Sequence, residues 1–259
     1  MPDNVGTVIY NLAFRKKVPN DNLRNDDGVI PTAIVGNIIK KSEDVLGAQT
    51  IRQDGQVIDK CGNSKDLKTL VAIGVSTGGP RALQEVLKHI PHSIPAAILI
   101  VQHMPTGFTK TLAERLNAIS GICVKEAEDG EIVRSGYAYM APGDYHMRVV
   151  MTSNKILRIV LSQEPPIGGL RPSVNVMMNS IAETRFPKVV GVIMTGMGAD
   201  GSEGIVNIKK SNSATIIAQD EKSCVVYGMP KSAVKTGCVD VVVPLNKISE
   251  QIVKYVGVE

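Results

Sequence analysis

A chain of 259 residues with 43% hydrophobic side chains can bury a sizeable core, as one large domain or one domain with an appendage. It has no Trp, three Phe and six Tyr, so that core must come from Val, Ile, Leu, Ala and Met, which suits a buried parallel sheet. The net charge of +4 comes without a clustered basic face or aromatic stacking platforms, which argues against nucleic acid, and no run approaches the ~18 uninterrupted apolar residues of a membrane span.

The N-terminus, Met1-Pro2-Asp3-Asn4, carries no charged-then-apolar leader pattern. Residues 1–66 are polar and loop-prone. Asn20 to Gly28 reads as a turn or flexible link, and Val29 to Leu46 has some helical periodicity. Gln53 to Asp66 is polar again, apart from Val57-Ile58. This predicts an accessory N-terminal arm. The four cysteines, Cys61, Cys123, Cys224 and Cys238, form no C-x-x-C pair, which points to a reduced, cytoplasmic protein without a zinc or thioredoxin-type site.

From Leu67 onward the pattern is regular. Buried strands are predicted at Leu70–Val75, Ala97–Gln102, Tyr137–Ala141, Val189–Met194, Thr215–Ala218 and Val239–Val243. Helical periodicity marks Arg81–Ile90, Phe108–Ile119, Ser173–Thr184, Ser202–Lys210 and Asn246–Val256. The alternation predicts an α/β fold: a doubly wound, mostly parallel sheet with helices on both faces. His146–Met151 and Ile156–Leu161, joined by Thr152-Ser153-Asn154-Lys155, break the rhythm and predict an antiparallel hairpin at the sheet's edge.

Gly74-Val75-Ser76-Thr77-Gly78-Gly79 lies between the first of these strands and its helix. Glycines on both sides of a serine allow a sharp turn with the hydroxyl exposed, and the pattern satisfies G-x-S-x-G. The base is then sought among four histidines. His89 and His92 flank Pro91 at a helix end and read as surface residues; His146 opens the hairpin and fits either surface or rim. His103 closes the strand that follows Ser76's own, and catalytic groups of open α/β sheets gather at such carboxyl ends. Asp200, in Thr195-Gly196-Met197-Gly198-Ala199-Asp200-Gly201, is the candidate acid, with Asp144 as runner-up. An aspartate before a helix also fits an N-cap, and the two roles are compatible. The chain order Ser76, His103, Asp200 excludes the α/β-hydrolase topology, where the histidine comes last. A phosphate site at the Ser-Thr-Gly-Gly turn lacks the lysine of a P-loop.

The chain from about residue 67 to 259 resembles the chemotaxis protein-glutamate methylesterases (the CheB type). The resemblance rests on seven blocks in order. Ile73–Pro80 comes first, then Gln102-His103-Met104-Pro105 with Gly107-Phe108-Thr109, and Ala127–Glu131. Ala141-Pro142-Gly143-Asp144 with His146-Met147 and Arg171-Pro172-Ser173-Val174 follow. Thr195-Gly196-Met197-Gly198 with Asp200-Gly201, and Ser223–Pro230, complete the set. The resemblance implies a triad of Ser76, His103 and Asp200, and an oxyanion hole from the backbone N–H groups of Met197 and Thr77. It implies hydrolysis of glutamate methyl esters on the cytoplasmic helices of chemotaxis receptors, with glutamine deamidation at the same site and no metal or organic cofactor.

Two departures stand out. The family commonly begins with a phosphorylatable receiver domain, whereas the 66 residues here hold no receiver-like strand ending in an aspartate. Control within the chain by phosphorylation is therefore not expected; a sensor kinase or separate receiver protein is the alternative partner. A histidine usual before the Arg-Pro-Ser segment is replaced by Ile167-Gly168-Gly169-Leu170, so substrate contacts there are expected to differ while the chemistry is kept, and Arg171 is the candidate substrate-binding residue. Two other readings stay open: an esterase or deamidase for a different protein or small ester, and a catalytically idle receptor-binding module.

Overall fold

The computed structural model describes residues 50–51, 57–58 and 66–258. The arm expected over residues 1–66, and the helix expected within it, lie outside the described residues, except for two short strands and Asp66. Those strands, β1 (Thr50–Ile51) and β2 (Val57–Ile58), pair antiparallel.

The main sheet has seven strands, all parallel: β3 (Thr69–Val75), β4 (Ala96–Gln102), β5 (Cys123–Glu126), β6 (Tyr137–Met140), β9 (Lys188–Ile193), β10 (Ser213–Gln219) and β11 (Val241–Val243). Their spatial order is β11-β10-β9-β3-β4-β6-β5. The sheet therefore starts in the middle at β3, runs through β4 to the edge at β5, fills the gap between them with β6, and returns to β3's other side to wind out through β9, β10 and β11. Such a reversal opens a crevice at the carboxyl ends of the central strands.

Every residue of β3 and of β4 is buried. Side chains alternate between the faces of a strand, and two apolar clusters follow from that. Val71, Ile73, Val75, Ile98 and Ile100 face one layer. It holds helices α1 (Gly79–Leu87), α2 (Phe108–Ile119) and α6 (Leu245–Val256). Leu70, Ala72, Ala97, Leu99 and Val101 face the other. There lie α3 (Val174–Thr184), α4 (Ser202–Ser211) and α5 (Met229–Lys235). In α1 the buried residues Gly79, Ala82, Leu83, Val86 and Leu87 form one helical stripe.

The expected hairpin forms from β7 (His146–Met151) and β8 (Leu157–Ser162), but as a sheet of its own and not on the edge of the main one. Its Met147, Val149, Leu157 and Ile159 belong to the apolar cluster of α3, and Val149 N–H donates to Ser180 Oγ at 2.9 Å. The edge itself is taken by β5, which the sequence pattern did not mark: four residues, half apolar and half charged, carry too little periodicity. The seven-residue α5 was missed for the same reason. Cys123 is disulfide-bonded, a departure from the reduced state expected of all four cysteines, while Cys224 and Cys238 are free thiols. No helix among the described residues is long and apolar enough to cross a membrane.

Helices α3 and α4 approach closely because Gly204 has no side chain: a Cβ there would lie 2.5 Å from Met178 Cβ. Gly204→Ala gains about 1 kcal/mol of helix propensity, but overpacking costs about 1–3 kcal/mol. The variant is expected to be less stable than the parent in urea denaturation; a stability gain would show that the two helices can part freely.

Candidate active site

The β3–β4 pairing aligns Val75 with Gln102, so Ser76 and His103 leave the sheet from neighbouring strands at the same level. The ladder runs one step further: His103 N–H donates to Val75 C=O at 3.2 Å, and Ser76 N–H to Thr195 C=O at 3.0 Å. Gln102 then ties the two ends. Its Nε2 donates to the carbonyls of both Ser76 and His103, at 3.1 Å each. That amide fits only because residue 79 is glycine, where a Cβ would fall 1.8 Å from Gln102 Oε1. The turn between, at Gly78, has φ 84°, a left-handed conformation that glycine adopts without steric cost.

His103 and Asp200 meet directly. His103 Nε2 lies 2.9 Å from Asp200 Oδ2, with side chains 10% and 7% exposed. The N-cap role that also fitted Asp200 is not the one it plays for its own helix: the N-cap of α4 is Gly201, which has no side chain to cap with, and the Asp200 carboxylate reaches the start of α3 instead. Oδ2 accepts from Val174 N–H at 2.6 Å; Oδ1 accepts from Asn175 N–H and Ser173 Oγ–H, both at 2.9 Å. The two N–H groups are donors that a helix leaves unpaired at its first turn, and its dipole favours negative charge there. Burial opposes ionisation of Asp200. The hydrogen bonds from His103, Asn175, Val174 and Ser173 outweigh it and hold the carboxyl below its ordinary value. With Nε2 engaged, the ring nitrogen left to serve a neighbour is Nδ1. No hydrogen bond joins Ser76 Oγ to His103 among those of the described residues.

The loop after β9 closes the crevice from the other side. A Cβ on Gly196 would lie 2.8 Å from Ser76 Cβ, so backbone runs against the serine. Thr195 Oγ1 donates to Thr77 C=O at 2.9 Å and accepts from Val225 and Val226 N–H, both at 3.1 Å. It thereby fastens the serine turn to the 220s loop. Among the described residues, no acceptor is bound by the N–H of Met197 or of Thr77, the two groups expected to form an oxyanion hole. Met197 is 76% exposed. Burial, helped by Asp220's charge, pushes the nearby Cys224 thiol up to about 11, so it is no thiolate at neutral pH.

Arg171 is held by Asp144 and by the carbonyls of Gln163 and Glu164, at 3.0 and 2.9 Å. Asp144, the runner-up acid, is thus an arginine partner; among the described residues the carboxylate hydrogen-bonded to His103 is that of Asp200. His89 and His92 are exposed, as expected. His146 is fully buried, with Nε2 3.2 Å from Pro165 O, because the hairpin packs inward there and does not sit on a rim. Gln102, Ser173, Asn175 and Thr195 escaped the sequence reading as site residues; the polar Gln102 ending an apolar strand was the signal available.

A carboxyl with a depressed folded pKa contributes stability above its unfolded pKa, about 3.9, and loses it as pH falls through the folded value. The stability deficit of Asp200→Asn against the parent should be full at neutral pH and shrink below pH ~3.9. Urea denaturation across that range checks it; a deficit unchanged into strong acid would contradict the assigned hydrogen bonding.

Comparison with known proteins follows the same lines. The family model for CheB methylesterase matches residues 71–252. A protein-glutamate methylesterase/protein-glutamine glutaminase of Pyrococcus horikoshii is 52% identical over 188 residues, covering 73% of this chain and 50% of that one. Its counterpart from Archaeoglobus fulgidus is 43% identical over 219 residues, covering 84% and 62%. The chain spans about half the length of the first of these curated relatives. The crystal structure of the Thermotoga maritima CheB methylesterase catalytic domain is 44% identical, with a TM-score of 0.69, covering 73% of this chain and 99% of that one. By family model, by relatives and by fold, this chain belongs to the CheB methylesterase family.

Proposed function

We propose that residues 67–259 hydrolyse methyl esters of glutamate side chains on the cytoplasmic helices of chemotaxis receptors, and deamidate receptor glutamines at the same site. The observation that carries the reading is the buried His103–Asp200 pair beside the strand end that bears Ser76. Ser76 is the nucleophile, His103 the base and Asp200 the group that orients and stabilises the imidazolium. The relatives' names, methylesterase and glutaminase, support the same two reactions.

In the first step Ser76 Oγ bonds to the ester carbonyl carbon while its proton passes to His103 Nδ1. Negative charge gathers on the carbonyl oxygen. The N–H groups of Met197 and Thr77 stabilise it, each such donor being worth about 3–4 kcal/mol in comparable sites. The C–OCH3 bond then breaks, and the departing oxygen takes the proton from His103 as methanol. A water follows the same path in reverse: its proton goes to His103, its oxygen to the acyl carbon, and Ser76 leaves with the proton to free the glutamate. An amide gives ammonia in place of methanol. The scheme invokes no metal or cofactor.

Arg171 is our candidate for substrate contact, with its guanidinium shared between Asp144 and an acidic group of the receptor. We further assign the protein to the cytoplasm, residues 1–66 to an accessory role, and its control to a sensor kinase or a separate receiver protein.

Ser76→Ala should keep the fold and lower methanol release from methylated receptor membranes by about 10³-fold or more. Parent-like release by that variant would end the proposal. Arg171→Ala should raise KM more than it lowers kcat, read from the same assay; an unchanged KM would remove the residue from the substrate surface.

A further inference from the structure

Two helices begin at this site, and each is capped by the other's loop. Asp200, just before α4, accepts from the first N–H groups of α3. Asn175, in the first turn of α3, returns the favour: its Oδ1 accepts from Gly201 N–H and Gly204 N–H, both at 2.9 Å. One residue thus grips the Asp200 carboxylate with its backbone N–H and the Asp200–Gly201 peptide's far side with its side chain. The grip leaves little freedom. Gly201 has φ 98°, and a Cβ there would lie 2.7 Å from Ile193 Cδ1 and 2.9 Å from Val174 Cγ1. Two N–H donors converging on one atom also identify that atom as the amide oxygen.

We propose that Asn175 is a positioning residue: its side-chain oxygen holds the start of α4 so that Asp200 faces His103 Nε2. It touches neither substrate nor reacting atoms in this role. The inference rests on the triad reading of Ser76, His103 and Asp200. A purely architectural Asn175 would stabilise the α3–α4 contact without affecting where the carboxylate points. Among the described residues, His103 is the titratable side chain in hydrogen-bond contact with Asp200, so the geometry of that one bond reports on the role.

Asn175→Ala removes the acceptor. Asn175→Asp keeps an oxygen at the same place, beside helix N–H groups that tolerate negative charge. The experiment uses the full chain. The hydrogen-bonded imidazole N–H of His103 is followed as a downfield proton resonance, assigned by its loss in His103→Gln, alongside methanol-release kinetics and thermal melting. Asn175→Ala is expected to lose or broaden the resonance while folded. Its kcat should fall about 10–100-fold, the scale of a roughly 1 Å misplacement, with KM little changed. Asn175→Asp should recover the resonance and most of kcat. A folded Asn175→Ala with the parent resonance overturns the inference, as does one with parent-like kcat. Should Asn175→Ala fail to fold, Asn175→Asp decides: a resonance or fold lost there overturns the inference too. So does absence of the resonance from the parent. If the parent shows the resonance but releases no methanol, the functional reading fails and the resonance alone judges Asn175.

Discussion

Parallel pairing of β3 with β4, in a register that sets Val75 beside Gln102, brings a serine and a histidine to one edge of one sheet. Burial enforces that register. Both strands are covered on both faces, so slipping β4 by one residue would exchange Ile98 and Ile100 for Ala97 and Leu99 against α1 and α2. The two layers hold different volumes, and each fully buried Leu, Ile or Val contributes about 1.5–3 kcal/mol. The arrangement of Ser76 and His103 is thus an outcome of core packing, sealed locally by the Gln102 amide.

The acid arrives by another route. Asp200 is far along the chain and on no strand, yet its carboxylate is almost wholly buried. A lone buried charge would be prohibitively costly. Here the positive end of α3, a serine hydroxyl and the imidazole supply four hydrogen bonds. Those bonds anchor the loop that also brings Gly196 against Ser76. Electrostatic satisfaction of one carboxylate therefore organises the third wall of the crevice.

Much of this was legible in the order of residues. Strands buried on both faces read as unbroken apolar runs, and β3, β4, β6, β9 and β10 announced themselves that way. Ser76, His103 and Asp200 stood out because each follows such a run. What stayed hidden depends on contacts between segments distant in sequence. The inward packing of β7 and β8 is decided by α3, not by their own alternation. The capping between α3 and α4 runs across the pair, against the local rule by which an aspartate caps its own helix. Asp144 resembled a candidate acid until its ion pair with Arg171 appeared.

The contact between residue 79 and Gln102 has a bearing on how this sequence can drift. Any side chain at position 79 would need the space now filled by the glutamine's oxygen, 1.8 Å from the would-be Cβ. A shorter residue at 102 would open that space but release the carbonyls of Ser76 and His103. Neither codon can wander alone without harm, so the pair should behave in inheritance as a single unit, lost or kept together.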